Sequence, residues 1–293
     1  MSQPPFGRLV TAMVSPFTAD GALDLAAARR LAAHLVDVQH NDALVINGTT
    51  GEAPTTTDAE KAALIEAVAD EVGDRARVLA GVGTNDTRHT IELAGQAAAA
   101  GADGLLVVTP YYSRPPQSAI AAHFLAVADA TDLPVMLYDI PHRSGVPIDT
   151  ATLIEVAAHP RIVAVKDAKG MVVASSTVIA ATDLAYYSGD DGYTLPLMSV
   201  GGVGVVGTST HFTGARTKAM LERFLAGDLA GAVTENAALL PVYTGVFATQ
   251  GCILVKAGLA ARGFGPAVLR SPMIEATPEQ ARTFVGLLDA AGL

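Results

Sequence analysis

The residue in this sequence that is best placed to do covalent chemistry is Lys166. It closes the run 161–166, Arg-Ile-Val-Ala-Val-Lys, which follows Pro160 and precedes a loop containing Gly170. A short run rich in β-branched residues between such breaks predicts a strand buried on both faces, as in parallel sheets. The last side chain of that strand lies at the carboxyl edge, where barrels and open α/β sheets carry their reactive groups.

The chemistry of a lysine at this position depends on the protonation of its amine. An unperturbed lysine has a pKa of about 10.4 and is mostly protonated at neutral pH, whereas burial lowers the pKa and frees the lone pair to attack a carbonyl. The alternative is a strand-end side chain whose ammonium group reaches bulk water. The other lysines do not close strands: Lys61 and Lys218 lie on helical patterns, Lys169 lies in a loop, and Lys256 lies in an apolar helical segment.

Hydroxyl-bearing residues follow the second and fourth predicted strands. The loop 47–52, Asn-Gly-Thr-Thr-Gly-Glu, places Thr49 and Thr50 between two glycines, which makes a suitable cradle for a carboxylate. A turn held by side-chain hydrogen bonds explains the same composition. Tyr111 and Tyr112 lie in a proline-rich loop, where they either pack or present a rigidly held phenol.

Charged residues follow the fifth and seventh predicted strands. The fifth ends at Tyr138 and is followed by Arg143, whose planar guanidinium suits a carboxylate, although a solvated loop charge explains it equally well. Asp190 and Asp191 are typical of metal or acid–base sites, but an N-cap role explains at least one of them. The glycines of 201–207 indicate either a phosphate loop without its lysine or space beside a reactive amine.

The elements that must position these residues alternate regularly between strand and helix. Eight such pairs predict a closed parallel (β/α)8 barrel, an α/β fold. No glycine fingerprint for a dinucleotide follows the first strand, which argues against an open doubly wound sheet. The predicted strands are 9–14, 43–47, 78–81, 104–108, 134–138, 162–166, 184–188 and 204–208. The predicted helices between and after them are 24–39, 57–72, 86–100, 117–130, 149–158, 171–181, 191–200 and 213–226.

After residue 227 the alternation stops and only helical patterns follow, at about 228–246, 249–262 and 278–291. We therefore expect the barrel over residues 1–227 and a C-terminal helical extension packed on it over 228–293, without a linker between them. The predicted helix starts carry recognisable signals. These are Asp24, Asp58, Asp86 and Asp149 as N-caps and Pro278-Glu279 at the start of the last helix.

Composition limits the class of function. A chain of 293 residues, half of them apolar, suits one barrel with an appendage. Its net charge of −10, without a basic cluster, argues against binding nucleic acid or an anionic membrane surface. The single cysteine, Cys252, excludes an internal disulfide, and the seven histidines show no metal-ligand spacing. We therefore expect chemistry without a metal or cofactor, in a reducing cytoplasm.

Two stretches bear on targeting and membrane insertion. Met1–Arg8 lacks the apolar core of a signal peptide. The charge-free run 192–215 is long enough to cross a bilayer, but Pro196 and the glycines at 201, 202, 204 and 207 interrupt it. We expect neither stretch to insert into a membrane.

Taken together, these motifs resemble the dihydrodipicolinate synthase / N-acetylneuraminate lyase family. Four motifs stand in the order and spacing of that family, within a resemblance that runs from about Arg8 to the C-terminus. They are Asn47-Gly-Thr-Thr-Gly-Glu52, Thr109-Pro-Tyr-Tyr112, Tyr138-Asp-Ile-Pro141 with Arg143, and Val165-Lys166-Asp167. The resemblance implies a (β/α)8 TIM barrel with a C-terminal helical extension, usually a homotetramer. It also implies a Schiff base between Lys166 and pyruvate or another 2-oxo acid.

The resemblance implies a role for each candidate site residue. The implied catalytic residues are Lys166, Tyr138, Thr49 and Tyr112, and the implied substrate-binding residues are Thr50, Arg143, Gly189 and Val206. Tyr138 passes protons through Thr49 and Tyr112, and Tyr112 reaches into a neighbouring subunit. Pyruvate is held by Thr50 and the backbone at Gly189 and Val206. Arg143 indicates the synthase branch of the family, which condenses pyruvate with L-aspartate 4-semialdehyde on the route to diaminopimelate and lysine.

Alternatives and departures remain beside that interpretation. The first alternative is a class I lyase or aldolase that acts on another 2-oxo acid. The second is a barrel that binds 2-oxo acids without catalysis. Ala53 replaces a common serine, and Asp139 replaces the commoner asparagine. Relatives inhibited by lysine commonly carry glutamate at the position of His89, near Asn85 and Tyr111, so we expect lysine to inhibit weakly or not at all.

Overall fold

Eight parallel strands close into a barrel in the computed structural model, which describes residues 4–293. Each strand pairs with the next along the chain, and the last pairs with the first through Val10 and Val206. The strands are β1 (Leu9–Ala12), β2 (Ala43–Ile46), β3 (Arg77–Gly81), β4 (Gly104–Val108), β5 (Val135–Asp139), β6 (Ile162–Asp167), β7 (Ala185–Ser188) and β8 (Gly204–Gly207). The predicted (β/α)8 barrel is confirmed. The first three residues of the predicted barrel range, and of the stretch Met1–Arg8, lie outside the described part.

Helices follow the strands and cover the outside of the barrel. They are α1 (Leu25–Asp37), α2 (Asp58–Val72), α3 (Thr87–Ala99), α4 (Gln117–Asp129), α5 (Pro141–Ser144), α6 (Thr150–Val156), α7 (Val172–Ala181), α8 (Thr194–Met198), α9 (Thr210–Leu225), α10 (Leu229–Gly245), α11 (Gly251–Ala261) and α12 (Pro278–Ala290). Short 3₁₀ turns occur at Ala53–Thr55 and Asp191–Tyr193. Within residues 4–293, no helix combines the length and the apolar character that a bilayer crossing requires.

Local signals explain most helix boundaries. Asp24 and Asp86 accept hydrogen bonds from the first turns of α1 and α3, as predicted for N-caps. The prediction for Asp58 is wrong by one residue, because Thr57 caps α2 and forms a capping box with Glu60. Asp149 occupies the N-cap of α6 without a side-chain hydrogen bond to the helix.

The barrel interior is filled by alternate side chains of the strands. Along β6, Ala164 packs with the interior cluster, whereas Val165 packs with the cluster between the strands and the helices. This period of two places Lys166 on the interior face, one layer nearer the carboxyl end than Ala164. Tyr138 of β5 and Tyr187 of β7 lie beside Lys166 in the register of the sheet. The fold therefore directs the candidate nucleophile into the barrel mouth.

The C-terminal helices pack on the barrel through α9. Phe212 of α9 and Phe284 of α12 are buried and make an edge-to-face contact with their ring centroids 5.8 Å apart. Gly258 of α11 permits this approach, since a Cβ there would lie 2.7 Å from the Phe212 ring. We propose that the barrel ends at residue 227 and the C-terminal extension begins at residue 228, because α9 ends just before this point and α10 begins just after it.

Candidate active site

Lys166 lies at the carboxyl end of β6 and is only 5% exposed. Its Nζ lies 4.2 Å from the centroid of the Tyr138 ring. Burial lowers the pKa of Lys166 from 10.5 to about 8, because an ammonium group loses its hydration there; Asp191 opposes the lowering and Arg143 adds to it. The alternative of an amine that reaches bulk water is therefore wrong.

Tyr138 lies beside Lys166 and responds to burial in the opposite sense. Burial disfavours the phenolate and raises the pKa of Tyr138 well above its usual range, and the charge of Asp190 adds to the rise while Arg143 opposes it. The phenol is therefore protonated at neutral pH. An amine with a lowered pKa and a protonated phenol thus share one buried face of the barrel mouth.

Thr49 and Thr50 belong to the loop between β2 and the first 3₁₀ turn. Asn47 and Glu52 bracket this loop in left-handed conformations, with φ angles of +60° and +55°. The hydroxyl of Thr50 lies 3.5 Å from the hydroxyl of Thr208, which follows β8. The Thr50 hydroxyl is thereby directed towards the barrel mouth.

A cavity of about 500 Å³ opens above the end of β6. Six of the eight predicted site residues line it: Thr49, Thr50, Tyr138, Arg143, Lys166 and Gly189. Arg143, on the short helix α5, is exposed, and within residues 4–293 its guanidinium has no hydrogen-bond partner. A free guanidinium at the cavity wall is suited to bind a carboxylate.

The remaining two predicted residues, Val206 and Tyr112, are not among the residues that line this cavity. Val206 is fully buried in the barrel interior. Tyr112 is 90% exposed and adopts φ +72° on the surface after β4. Within residues 4–293, neither the Tyr138 hydroxyl nor the Thr49 hydroxyl makes a hydrogen bond, so one chain does not complete the predicted proton relay. The roles of all eight residues remain predictions.

Asp191 is a site residue whose place the sequence did not reveal. Its buried carboxylate accepts hydrogen bonds from the backbone N–H groups of Thr208 and Ser209, at 3.0 and 3.1 Å, and from the Ser209 hydroxyl at 2.7 Å. Asp190 instead accepts from the Gly192 N–H as an N-cap, so the prediction that at least one of the pair is an N-cap is confirmed. The sequence signal for Asp191 was the pair of aspartates after the seventh strand, which did not show which of the two is the N-cap.

Residues of the C-terminal extension also line the cavity and were not predicted. They include Tyr243 and Phe247 near the end of α10 and Gln250 and Cys252 at the start of α11. Burial raises the pKa of the Cys252 thiol to about 12, which keeps it protonated and unreactive. Because these residues lie more than 70 positions after Lys166, no local pattern connects them with the barrel mouth.

A second cavity of about 600 Å³ adjoins the first and shares Thr49, Tyr138 and Arg143 with it. Its other walls include Asn85, His89 and Tyr111. The His89 Nε2 and a carboxylate oxygen of Asp58 are hydrogen-bonded at 2.9 Å. Within residues 4–293, no group of three or more His, Cys, Asp or Glu side chains is placed to hold a metal ion.

Comparisons with known proteins agree with this geometry. Residues 5–291 match the model of the dihydrodipicolinate synthetase family. The chain is 63% identical to a 4-hydroxy-tetrahydrodipicolinate synthase of Cutibacterium acnes over the full length of both, and 62% identical to one of Acidothermus cellulolyticus over 98% of this chain and 93% of that protein. A crystal structure of a dihydrodipicolinate synthase from Cyanidioschyzon merolae with lysine bound superposes with a TM-score of 0.96 at 39% identity, covering 99% of each chain.

Proposed function

The chain belongs to the dihydrodipicolinate synthetase family, and we propose that it catalyses the reaction of a 4-hydroxy-tetrahydrodipicolinate synthase, the condensation of pyruvate with L-aspartate 4-semialdehyde. The observation that carries the proposal is the buried amine of Lys166, with its pKa lowered to about 8, against the ring of Tyr138. Such an amine is a competent nucleophile towards a ketone at neutral pH. The proposed reaction uses no metal or cofactor.

In the proposed first half-reaction, Lys166 becomes covalently attached to pyruvate. The neutral amine attacks the ketone carbon, and the oxygen leaves as water after protonation by Tyr138, which gives an iminium ion. The iminium withdraws electrons from the adjacent methyl group, which loses a proton to the Tyr138 phenolate and becomes the terminal carbon of an enamine. Thr50 and backbone groups at Gly189 and Val206 hold the carboxylate and the carbonyl carbon in place.

In the proposed second half-reaction, the enamine carbon attacks the aldehyde of the semialdehyde and forms the new carbon–carbon bond. Tyr138 donates a proton to the resulting alkoxide and is reprotonated through Thr49 and Tyr112. The amino group of the semialdehyde then attacks the iminium carbon, closes the ring and releases the amine of Lys166. Arg143 receives the carboxylate of the semialdehyde, because its exposed guanidinium borders both cavities.

We further propose that the protein acts as a homotetramer in the cytoplasm. Tyr112 is 90% exposed on a loop held in a left-handed conformation, which suits a side chain that completes the site of a second copy. Leu229, Val233 and Leu240 also leave apolar surface exposed along one side of α10, at 55%, 58% and 43%. The single buried cysteine is compatible with a reducing compartment.

The function is tested by a coupled assay that contains pyruvate, aspartate semialdehyde and the reductase of the following step, with consumption of the nicotinamide cofactor as readout. Turnover that needs both substrates supports the proposal, whereas turnover of another 2-oxo acid alone supports a different lyase or aldolase. Borohydride reduction with pyruvate should add mass to Lys166 in the parent protein and add none in Lys166→Ala. If the parent protein bound pyruvate without forming an adduct, the result would support the alternative of a barrel that binds 2-oxo acids without catalysis.

A further inference from the structure

A buried ionic cluster ties the loop of Thr49 and Thr50 to the C-terminal extension. Lys256 of α11 donates hydrogen bonds to the Glu52 carboxylate at 2.5 Å and to the carbonyl of Val268 at 2.8 Å. The backbone N–H of Arg270 donates to the other oxygen of Glu52 at 3.0 Å. Glu52 and Lys256 are 3% and 4% exposed, so both charges are withdrawn from water.

Arg270 extends this cluster along the same loop. Its guanidinium makes two hydrogen bonds to the Glu60 carboxylate, at 2.8 and 2.6 Å, and one to the carbonyl of Thr55 at 3.0 Å. The cations of Lys256 and Arg270 both lie over the ring of Phe17, at 4.1 and 4.3 Å from its centroid. The segment from Glu52 to Glu60 is thus fixed by two residues that follow the barrel in sequence.

The backbone of Glu52 explains why such fixing is needed. Glu52 has φ +55° and ψ +36°, a left-handed conformation that is unfavourable for a residue with a Cβ. Asn47, at the other end of the loop, has φ +60° and donates a hydrogen bond to the carbonyl of Lys61 at 3.1 Å. Conformations of this kind persist only where their surroundings hold them. The backbone of Glu52 is hydrogen-bonded to Thr49 and Thr55 within the loop, whereas the groups that hold its carboxylate come from the C-terminal extension.

We propose that Lys256 is a positioning residue, which acts through Glu52 to keep the Thr49–Thr50 loop in the conformation that binds the 2-oxo acid. This inference rests on the proposed function, in which Thr50 contacts the pyruvate carboxylate. Two buried opposite charges add little stability relative to a well-packed apolar pair. Their contribution here is to geometry, because they connect the substrate-binding loop with a helix that itself lines the cavity at Cys252.

The test replaces Lys256 by methionine, which keeps the length of the side chain and removes its charge. Measured well below the unfolding temperature, Lys256→Met should raise the KM for pyruvate by about tenfold or more and slow formation of the pyruvate adduct by a similar factor, since small displacements of positioning groups have effects of this size. The kcat at saturating pyruvate should fall much less. A KM and an adduct rate within about twofold of the parent protein overturn the proposal.

A matched control is available at the opposite end of the barrel. Lys218 also donates to one carboxylate and one carbonyl, those of Asp42 at 2.7 Å and His40 at 3.0 Å. Lys218→Met should leave the KM for pyruvate and the adduct rate unchanged. An equal effect of the two substitutions on these readouts would overturn the positioning role, because loss of any comparable ion pair would then suffice.

The double variant Glu52→Gln/Lys256→Met separates positioning from stability. It leaves no unpaired buried charge, so its melting temperature should recover relative to Lys256→Met, while its KM for pyruvate stays raised. Recovery of both the melting temperature and the KM would show that the cluster has only a structural role. If Lys256→Met does not fold, the double variant provides the same two readouts. A parent protein that forms no adduct contradicts the proposed function, whereas unaltered variants beside an active parent contradict only the role of Lys256.

Discussion

The rate at which Lys166 forms an adduct with pyruvate should level off at an unusually low pH. With a pKa of about 8, the neutral fraction of the amine rises from about 9% at pH 7 to about 90% at pH 9, an increase of about tenfold. With the ordinary value of 10.5, the same interval would give an increase of about a hundredfold and no plateau. The shape of the pH profile therefore distinguishes a buried amine from a hydrated one.

The profile is measured by mixing the protein with pyruvate at each pH and quenching with borohydride in a common buffer. Intact-mass spectrometry then gives the initial rate of adduct formation. Asp191→Asn provides a check of sign: the charge of Asp191 favours the ammonium form of Lys166, so its removal should shift the plateau to lower pH. A rate that still increases in proportion to hydroxide concentration above pH 9.5 would refute the assignment of a desolvated nucleophile.

The same pKa has a consequence for stability that does not involve substrate. Because the pKa of Lys166 is lower in the folded than in the unfolded chain, the unfolded chain binds more protons between about pH 8 and 10.5, and stability rises with pH in that window. The lowering corresponds to about 3 kcal/mol of instability at neutral pH. Lys166→Met should therefore melt at a higher temperature than the parent protein at pH 7, with the difference shrinking towards pH 10.5. A less stable variant at both pH values would contradict this reasoning.

Three further predictions concern residues around the amine. Tyr138→Phe should lower kcat by about 10² to 10⁴, the usual contribution of general acid–base catalysis, with an unchanged circular dichroism spectrum; a full rate in the coupled assay would exclude the proton relay. Asp139→Asn leaves the buried ammonium of Lys169 without its 2.8 Å carboxylate partner and should cost about 3 kcal/mol in denaturant unfolding, with Asp139→Asn/Lys169→Met recovering part of the loss. Lysine at millimolar concentration should leave the rate of the coupled assay nearly unchanged, because His89 stands hydrogen-bonded to Asp58 in the second cavity; halving of the rate would contradict this expectation.

The barrel was predictable from the sequence because its signals are local. Every strand was placed to within two residues, since each is a short apolar run bounded by turn residues. Helix α5 was missed because its four residues, which begin at Pro141, are too few to show a helical period. The predicted helix at 191–200 is a 3₁₀ turn followed by the five-residue helix α8, for a similar reason.

The site was predictable only where a motif lies next to a strand end. Lys166, Tyr138 and the Thr49–Thr50 loop belong to such motifs, and the barrel brings them to one cavity. Glu52 and Lys256, by contrast, are 204 positions apart in the sequence. Neither their contact nor the burial of their charges could be predicted from the sequence, because both arise only when the chain folds. Asp139 is an intermediate case. Its departure from the common asparagine was visible in the sequence, but its ion pair with Lys169 required the structure.

One physical cause sets the protonation of both proposed reacting groups. Loss of hydration disfavours the charged form of each group. For Lys166 the charged form is the protonated ammonium, so its pKa falls; for Tyr138 the charged form is the deprotonated phenolate, so its pKa rises. A hydrated pair would have both pKa values near 10, so a neutral amine would come with an ionised phenol. Burial separates the two values, so that a neutral nucleophile and a protonated acid are present together at one pH. We therefore expect the walls that exclude water, including α11 of the C-terminal extension, to contribute to catalysis without touching the proposed reacting atoms.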